Sequence, residues 1–180
     1  MQGITSTKKI VGTALFSALS YAVSLLEFPV FPAAAFLKLD FSLVFVLLSG
    51  FIFGPVFGVT TSAVKELLCF ITKTSTGGIG ELANFLVALG FILVPTIVYK
   101  FKKGFPTVVV TLAIGCVLEV AVALLTNRFI NFPLYMGGAA KETFYKLWYY
   151  IVFFNLIKTV AVSIVTIILY KRVSGLIKRI

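Results

Sequence analysis

The hydrophobic residues of this chain gather into long runs that short polar segments separate. Six runs predict membrane-spanning helices, at residues 10–26, 41–53, 55–72, 82–99, 106–126 and 148–170. A spanning helix needs about 20 residues, so the second run is short for this role. We predict an all-α, integral membrane bundle of six transmembrane helices, with residues 1–180 forming a single membrane domain.

The segment Gly54-Pro55-Val56-Phe57-Gly58 predicts a tight break between the second and third spans. Proline has no backbone N–H to donate, and glycine allows backbone conformations that end a helix. The alternative is to merge residues 41–72 into fewer spans. A straight helix of that length would measure about 48 Å, which exceeds a hydrocarbon core of about 30 Å.

Composition supports a membrane protein. Hydrophobic residues occupy 60% of the 180 positions, and the mean hydropathy is +1.10. Soluble domains contain roughly 45–50% apolar residues. The chain has only 16 basic and 6 acidic residues, too few to cover the surface of a soluble domain.

The basic residues predict how the bundle is oriented. Nine of the 16 lie at the N-terminus, in the loop between spans 4 and 5, and at the C-terminus: Lys8, Lys9, Lys100, Lys102, Lys103, Lys171, Arg172, Lys178 and Arg179. An even number of spans places these three segments on one side, which the positive-inside rule makes cytoplasmic. The net charge of +10 is explained by this topology and by anionic lipid, and it does not indicate a nucleic-acid partner.

Lys158 is the most informative single residue. It lies inside the apolar run 148–170, where a cation costs at least about 2.5–3.5 kcal/mol to insert and rarely persists without a partner. Asn155 is three positions earlier and shares its helix face. An amide and an ammonium directed into a bundle predict a site for a polar, flat ligand.

Enzymatic chemistry has little support. The chain contains no histidine, which is the commonest general base and a frequent metal ligand. It also has no phosphate-binding G-x-x-x-x-G-K-[ST] loop. Cys69 and Cys116 fall inside predicted spans, where small buried hydrophobes are the expected role. We therefore predict no catalytic residue and no metal site.

Two of the six acids, Glu66 and Glu119, fall inside predicted spans. We expect Lys65 to pair with Glu119 across two helices, with a proton-coupling role for the two acids as the alternative. The other four acids, Glu27, Asp40, Glu81 and Glu142, lie in or beside outer loops, where a solvated role is the default.

Ala14, Ala18 and Ala22 recur every four residues in the first span and make one helix face nearly flat. Small residues at this spacing allow helices to approach closely in lipid. Packing within this bundle and docking against a second membrane protein are equally supported by the spacing.

Five short motifs together resemble one transporter family, in order and across nearly the whole chain. They are Leu37-Lys38-Leu39-Asp40-Phe41-Ser42, Gly54-Pro55-x-x-Gly58, Gly80-Glu81-Leu82-x-Asn84-Phe85, Asn127-x-Phe129-x-x-x-Pro133-x-Tyr135 and Asn155-x-x-Lys158. The chain resembles the substrate-binding (S) component of energy-coupling factor (ECF) transporters, and within that group the riboflavin-specific members.

The resemblance implies a vitamin pocket that faces outward in the plasma membrane of a prokaryote, with the loop before the second helix as a lid. It implies that Asn127, Asn155 and Lys158 hold the flavin ring. The other polar residues predicted to bind the ligand are Asp40, Glu81, Asn84, Asn131 and Tyr135.

The same resemblance implies partners and an energy source. A transmembrane coupling subunit would dock on Ala14, Ala18 and Ala22, and two cytoplasmic ATPases would supply the energy. No catalytic cofactor is implied, since the flavin is the bound substrate.

Arg128 departs from the expected pattern, since the resemblance implies an aromatic residue at this position. A cation there favours a phosphorylated flavin, so riboflavin and flavin mononucleotide (FMN) are both candidate ligands. Two alternatives also stay open: a stand-alone ion- or proton-coupled carrier that uses Lys65, Glu66 and Glu119, and a membrane scaffold without a ligand.

Overall fold

The computed structural model describes residues 6–177, with side chains described as far as residue 172, and nearly all of this stretch is helical. Its α-helices are α1 (Ser6–Ser24), α2 (Ser42–Phe53), α3 (Pro55–Lys73), α4 (Ile79–Phe101), α5 (Phe105–Thr126), α6 (Phe132–Met136) and α7 (Ala140–Ile177). Two short strands, β1 (Phe28–Pro29) and β2 (Lys38–Leu39), pair antiparallel between α1 and α2. The predicted all-α fold class is confirmed, with this strand pair as the one exception in the described residues.

Each predicted span falls on one helix, with differences at the ends. Leu25 and Leu26, predicted inside the first span, lie in a turn after α1. The last helix begins at Ala140 rather than at residue 148, because Glu142 and Lys146 pair one turn apart at 2.6 Å and support the earlier start. The connection before it, predicted as a loop, is a π-helical turn (Asn127–Asn131), α6 and a 3₁₀ turn.

Three helical segments of the described chain are long and apolar enough to cross a membrane: Pro55–Lys73, Ile79–Phe101 and Phe105–Arg172. The third contains 68 residues, about 100 Å of helix, and α5 packs against α7 within it. That segment therefore folds back on itself within the bundle. The count of six spans stays a prediction, since α2 has only 12 residues.

The predicted break between α2 and α3 is confirmed. Gly54 has φ 109°, a left-handed conformation that only glycine adopts at little cost, and Pro55 is the first residue of α3. Beyond the break the two helices approach so closely that a Cβ on Gly58 would lie 3.1 Å from the Cα of Gly50.

The described basic segments meet at one end of the bundle. Lys9 Nζ lies 5.9 Å from the centroid of the Phe57 ring, and Lys171 Nζ lies 4.7 Å from that of Phe105. The positive-inside rule assigns this end to the cytoplasm, and that orientation stays a prediction. Lys178 and Arg179, which the prediction also used, lie outside the described residues.

The first helix has its polar face inward and its apolar face outward. Thr13, Ser17, Ser20 and Ser24 are buried, whereas large apolar residues such as Leu15 are exposed. Lipid accepts apolar side chains on the outside of a bundle, so this polarity fits a membrane environment. The alanine stripe of α1 lies on the outward face too, with Ala14, Ala18 and Ala22 all exposed, so it does not pack inside this bundle.

Candidate ligand-binding site

A cavity of about 540 Å³ lies between α3, α4, α5, α7 and the connection from α1 to α2. Both apolar clusters of the bundle contribute to its wall, through Leu43 and Ala88 on one side and Leu37 and Phe132 on the other. All eight residues predicted to bind the ligand line this cavity: Asp40, Glu81, Asn84, Asn127, Asn131, Tyr135, Asn155 and Lys158.

Asp40 is a buried member of this wall, not a solvated loop acid, and that default expectation was wrong. Its side chain turns inward, and Oδ1 accepts a 2.7 Å hydrogen bond from the Ser42 backbone N–H. Burial alone would raise the pKa of Asp40, but Lys158, Lys65 and the Ser42 hydrogen bonds lower it to about 2. Because this pKa is below the ordinary 3.8, Asp40 stabilises the fold at higher pH, and its contribution is lost only as pH falls towards about 2.

Asp40 is the charged partner of Lys158, and a partner was expected because a cation in an apolar helix rarely lacks one. The Lys158 Nζ lies 3.8 Å from Asp40 Oδ2, close enough for ionic attraction but beyond a hydrogen bond. Its side chain is 14% exposed, on the cavity wall. The ammonium therefore lies on the cavity wall with N–H donors that this carboxylate does not engage.

Asn155 lies one turn from Lys158 on the same wall, as the i, i+3 spacing predicted. It is buried, and its Nδ2 donates a 2.8 Å hydrogen bond to the carbonyl oxygen of Ile151. An amide nitrogen carries two hydrogens, so one N–H and the side-chain carbonyl can serve a ligand.

The predicted pair between Lys65 and Glu119 is wrong. Lys65 Nζ instead binds the carboxylate of its sequence neighbour Glu66 at 2.6 Å, and both side chains are more than nine-tenths buried. The long lysine side chain folds back to the nearest acid and never reaches α5. Glu119 consequently has no hydrogen-bond partner among the described residues.

The π-helical turn after α5 positions two asparagines. Asn127 donates from Nδ2 to the Ala123 carbonyl oxygen at 2.8 Å, and its Oδ1 accepts a 3.1 Å hydrogen bond from Asn131 Nδ2. A π turn inserts an extra residue into a helix and is frequent at functional sites. Here it places both amides on the cavity wall.

Glu81 organises the loop between α3 and α4. Its Oε2 accepts hydrogen bonds from the hydroxyls of Thr74, at 3.1 Å, and Thr76, at 2.9 Å. Gly78, with φ 96°, makes the turn into α4. Glu81 therefore shapes the cavity edge by fixing this loop, while Asn84, one turn later, has an exposed side chain on the cavity wall.

Glu27 joins two outer segments by ion pairs that we did not predict. Its carboxylate binds Lys38 of β2 and Lys73 at the end of α3, each at 2.9 Å. Partial burial raises the pKa of Glu27, but the two lysines outweigh this effect and lower it below its ordinary value. We call these three residues the lid clamp, because they tie the α1–α2 connection to α3.

Residues 8–170 match the family described as ECF transporter, substrate-specific component. The chain belongs to this family. Among its relatives, the riboflavin transporter RibU of Staphylococcus aureus (strain TCH60) is 32% identical over 178 residues, covering 96% of this chain and 94% of the relative. The riboflavin transporter FmnP of Bacillus subtilis (strain 168) is 29% identical over 130 residues, covering 71% and 68%.

A solved structure gives the same result for the fold. The S component of a bacterial ECF transporter superposes on this S component with a TM-score of 0.84 at 32% identity, and the match covers 97% of this chain and 99% of that one. The predicted resemblance is confirmed, and the scaffold and stand-alone carrier alternatives are not favoured.

Arg128 of this S component is absent from the cavity wall. Its guanidinium lies over three aromatic rings, 5.9 Å from the centroid of Phe129, 5.5 Å from that of Phe144 and 5.6 Å from that of Tyr145. Cation–π contacts of this kind hold an arginine at a helix surface. The geometry gives no support to a phosphate site at Arg128.

For three groups of residues on the cavity wall, the contacts or the position were not predicted from the sequence. The lid clamp depends on contacts between residues 46 positions apart, which no local pattern reveals. Lys65 and Glu66 were both noted, but Lys65 was paired with Glu119 and not with Glu66. Phe36 of the α1–α2 connection and Ser42, the first residue of α2, also line the cavity, and no chemical pattern in the sequence marks either one as a ligand contact.

Proposed function

We propose that this chain is the riboflavin-binding S component of an ECF vitamin transporter. The observation that supports the proposal most is the cavity wall, where Lys158, Asn155 and Asp40 come together beside apolar side chains. A planar heterocycle with a polar edge matches this combination. The name and coverage of the Staphylococcus aureus relative support the same ligand.

The size of the cavity suits a flavin. Small-molecule sites measure about 300–1,000 Å³, and this one measures about 540 Å³. Burying about 250 Å² of a tricyclic ring contributes roughly 6 kcal/mol. Nanomolar binding requires about −12 kcal/mol, so polar contacts must supply the remainder.

Lys158 and the asparagines would supply those contacts. The ring carbonyls accept hydrogen bonds, which Lys158 and the free amide hydrogens of Asn127 and Asn155 can donate. Buried donors left without a partner by a different ligand carry a penalty of about 1–3 kcal/mol each. This penalty gives the site its preference for a ligand with correctly placed carbonyls.

The partners in this proposal are a transmembrane coupling subunit and two cytoplasmic ATPases. The coupling subunit would contact the exposed face of α1 that carries Ala14, Ala18 and Ala22. The chain would cross the plasma membrane of a prokaryote six times, with both termini in the cytoplasm and the cavity opening to the outside.

A fluorescence titration of the purified protein in detergent tests the ligand. The protein should quench riboflavin fluorescence to saturation and bind riboflavin with nanomolar affinity. Protein purified from cells supplied with the vitamin should be yellow. Thiamine, which lacks the tricyclic ring, should not compete. A colourless preparation that leaves riboflavin fluorescence unchanged would reject riboflavin as the ligand.

The lid clamp predicts a pH-dependent release rate. Because the pKa of Glu27 is lowered from 4.5, the ion pairs are fully formed above about pH 4.5 and are lost as pH falls through the lowered pKa. Partly exposed pairs contribute at most about 1 kcal/mol. Glu27→Gln should therefore raise the riboflavin dissociation rate up to about fivefold at neutral pH.

Stopped-flow dissociation from pH 7 to pH 3 measures this effect. The wild-type rate should rise below about pH 4.5 and approach that of Glu27→Gln, which should change little over the same range. Asp40 does not interfere, since its pKa is about 2. Parallel pH curves for both proteins would show that the clamp does not hold the lid.

Arg128→Ala should leave the choice between riboflavin and FMN unchanged, since Arg128 stacks on rings and is absent from the cavity wall. We expect affinity changes within about 1 kcal/mol for each flavin. Competition titrations at low and high salt measure this. A selective loss of FMN binding, removed by salt, would instead restore the phosphate role.

A further inference from the structure

Glu119 is the one fully buried acid of the described chain that lacks a hydrogen-bond partner within it. It lies in the middle of α5, its side chain is 0% exposed, and neither carboxylate oxygen is bonded to any residue between 6 and 177. The side chain nevertheless lines the cavity. Lys158 and Asp40 are close enough to interact with it electrostatically.

An acid in this situation carries a free-energy cost. Buried polar atoms in folded proteins almost always have a hydrogen-bond partner, and a buried acceptor without one is destabilising. Leucine or methionine would fill the same volume of an apolar helix without that cost. A buried acid on the wall of the binding cavity is therefore best explained by a ligand that supplies the missing donor.

The cavity has one further oxygen in the same condition. Asn131 Oδ1 is also buried without a partner in the described residues, and Asn131 lines the cavity. Ser62 and Thr166, which carry such atoms too, are absent from the cavity wall. Unsatisfied carboxylate and amide oxygens thus lie where a ligand would lie.

The wall consequently presents two complementary features. Lys158 offers donors and no acceptor, whereas Glu119 accepts through at least one oxygen whether or not it is protonated. The polar edge of a flavin has carbonyl acceptors on either side of an imide N–H donor, and its ribityl chain has hydroxyl donors. A carbonyl at Lys158 would leave an adjacent donor for Glu119.

We propose that Glu119 is a specificity-determining residue that accepts a hydrogen bond from an N–H or O–H donor of the bound flavin. This inference rests on the proposed function, because it takes the cavity to be the flavin site. The donor is the ring imide or a ribityl hydroxyl, and the two can be separated with ligand analogues. Glu119 thereby selects ligands by their donors, as Lys158 selects them by their acceptors.

Three variants test the role of Glu119 by riboflavin titration in detergent. Glu119→Leu removes the acceptor and should weaken binding about ten- to a hundredfold. Glu119→Gln keeps an acceptor oxygen and should recover most of that loss. Thr166→Val removes another unpartnered buried oxygen, away from the cavity, and should bind as the wild type does.

Thermal unfolding provides a second readout that a structural role would not produce. Without ligand, Glu119→Leu should be at least as stable as the wild type, because a buried acid without a partner has been removed. Riboflavin should then raise its melting temperature less than it raises that of the wild type, since ligand stabilisation follows affinity. A destabilised protein without ligand would indicate that Glu119 serves the fold.

Two analogues identify the donor. 3-Methylriboflavin lacks the imide N–H, and lumiflavin lacks the ribityl hydroxyls. If Glu119 accepts a hydrogen bond from the imide N–H, Glu119→Leu should weaken the binding of lumiflavin and leave that of 3-methylriboflavin unchanged. If the donor is a ribityl hydroxyl, Glu119→Leu should weaken the binding of 3-methylriboflavin and leave that of lumiflavin unchanged. Equal losses for all three flavins, or unchanged riboflavin binding, would overturn the inference. Failure of the wild type to bind any flavin would instead reject the proposed function, and the inference with it.

Discussion

Lys158→Ala is expected to weaken riboflavin binding by about 1.5–3 kcal/mol, the contribution of a hydrogen bond that involves a charged group. The ammonium lies on the cavity wall, and its 3.8 Å contact with Asp40 leaves its donors available. Asn155→Ala should produce a loss of similar size, because it removes an amide from the same wall. Fluorescence titration of purified variants measures both effects.

The matched control is Lys146→Ala, which makes the same substitution in the same helix. Lys146 is exposed and pairs with Glu142 one turn away, and neither residue lines the cavity. It should bind riboflavin as the wild type does. Wild-type affinity in both Lys158→Ala and Asn155→Ala would refute the assignment of these residues to the site.

Ala18→Trp is expected to abolish riboflavin uptake by cells and to leave riboflavin binding intact. Ala18 is exposed on α1 and absent from the cavity wall, so a bulky residue there should not disturb the ligand. If the coupling subunit packs against this flat face, an indole prevents the close helix approach that small residues allow. Ala14→Trp should behave in the same way.

Leu19→Trp controls for bulk alone. Leu19 is 39% exposed and lies about 100° around α1 from Ala18 and about 140° from Ala14. Uptake should survive this change. Loss of riboflavin binding in Ala18→Trp would mean that the stripe supports the bundle itself, and equal loss of uptake in Leu19→Trp would mean that the alanines have no special role.

Much of the fold could be predicted because it follows local rules. Hydrophobic runs located the long helices, and the Gly54-Pro55 pair located the break between α2 and α3 because both residues restrict backbone geometry. The helical connection after α5 was missed because its polar residues resembled those of a loop. The absence of glycine between Gly115 and Gly137, which is compatible with a helix, was not used. Helix ends depend on tertiary packing, which local patterns do not encode.

The candidate site divides in the same way. Lys158 and Asn155 were found from one helix, because an ammonium in an apolar run requires a reason and the i, i+3 spacing fixes a common face. Asp40 was predicted as a ligand-binding residue only through the resemblance, and neither its burial nor its contact with Lys158 was expected. The Lys65–Glu119 pair failed because the choice between two nearby acids depends on side-chain reach, which becomes visible only in three dimensions.

The structure of the protein determined with bound riboflavin tests the assignment of the site most directly. The ring should lie in the cavity between α3, α4, α5 and α7, with a ring carbonyl oxygen about 2.7–3.2 Å from Lys158 Nζ. A flavin bound instead in the outer groove between α3 and α4, beside Phe70 and Leu82, would contradict it. So would a flavin inside the cavity that makes no contact with Lys158 or Asn155.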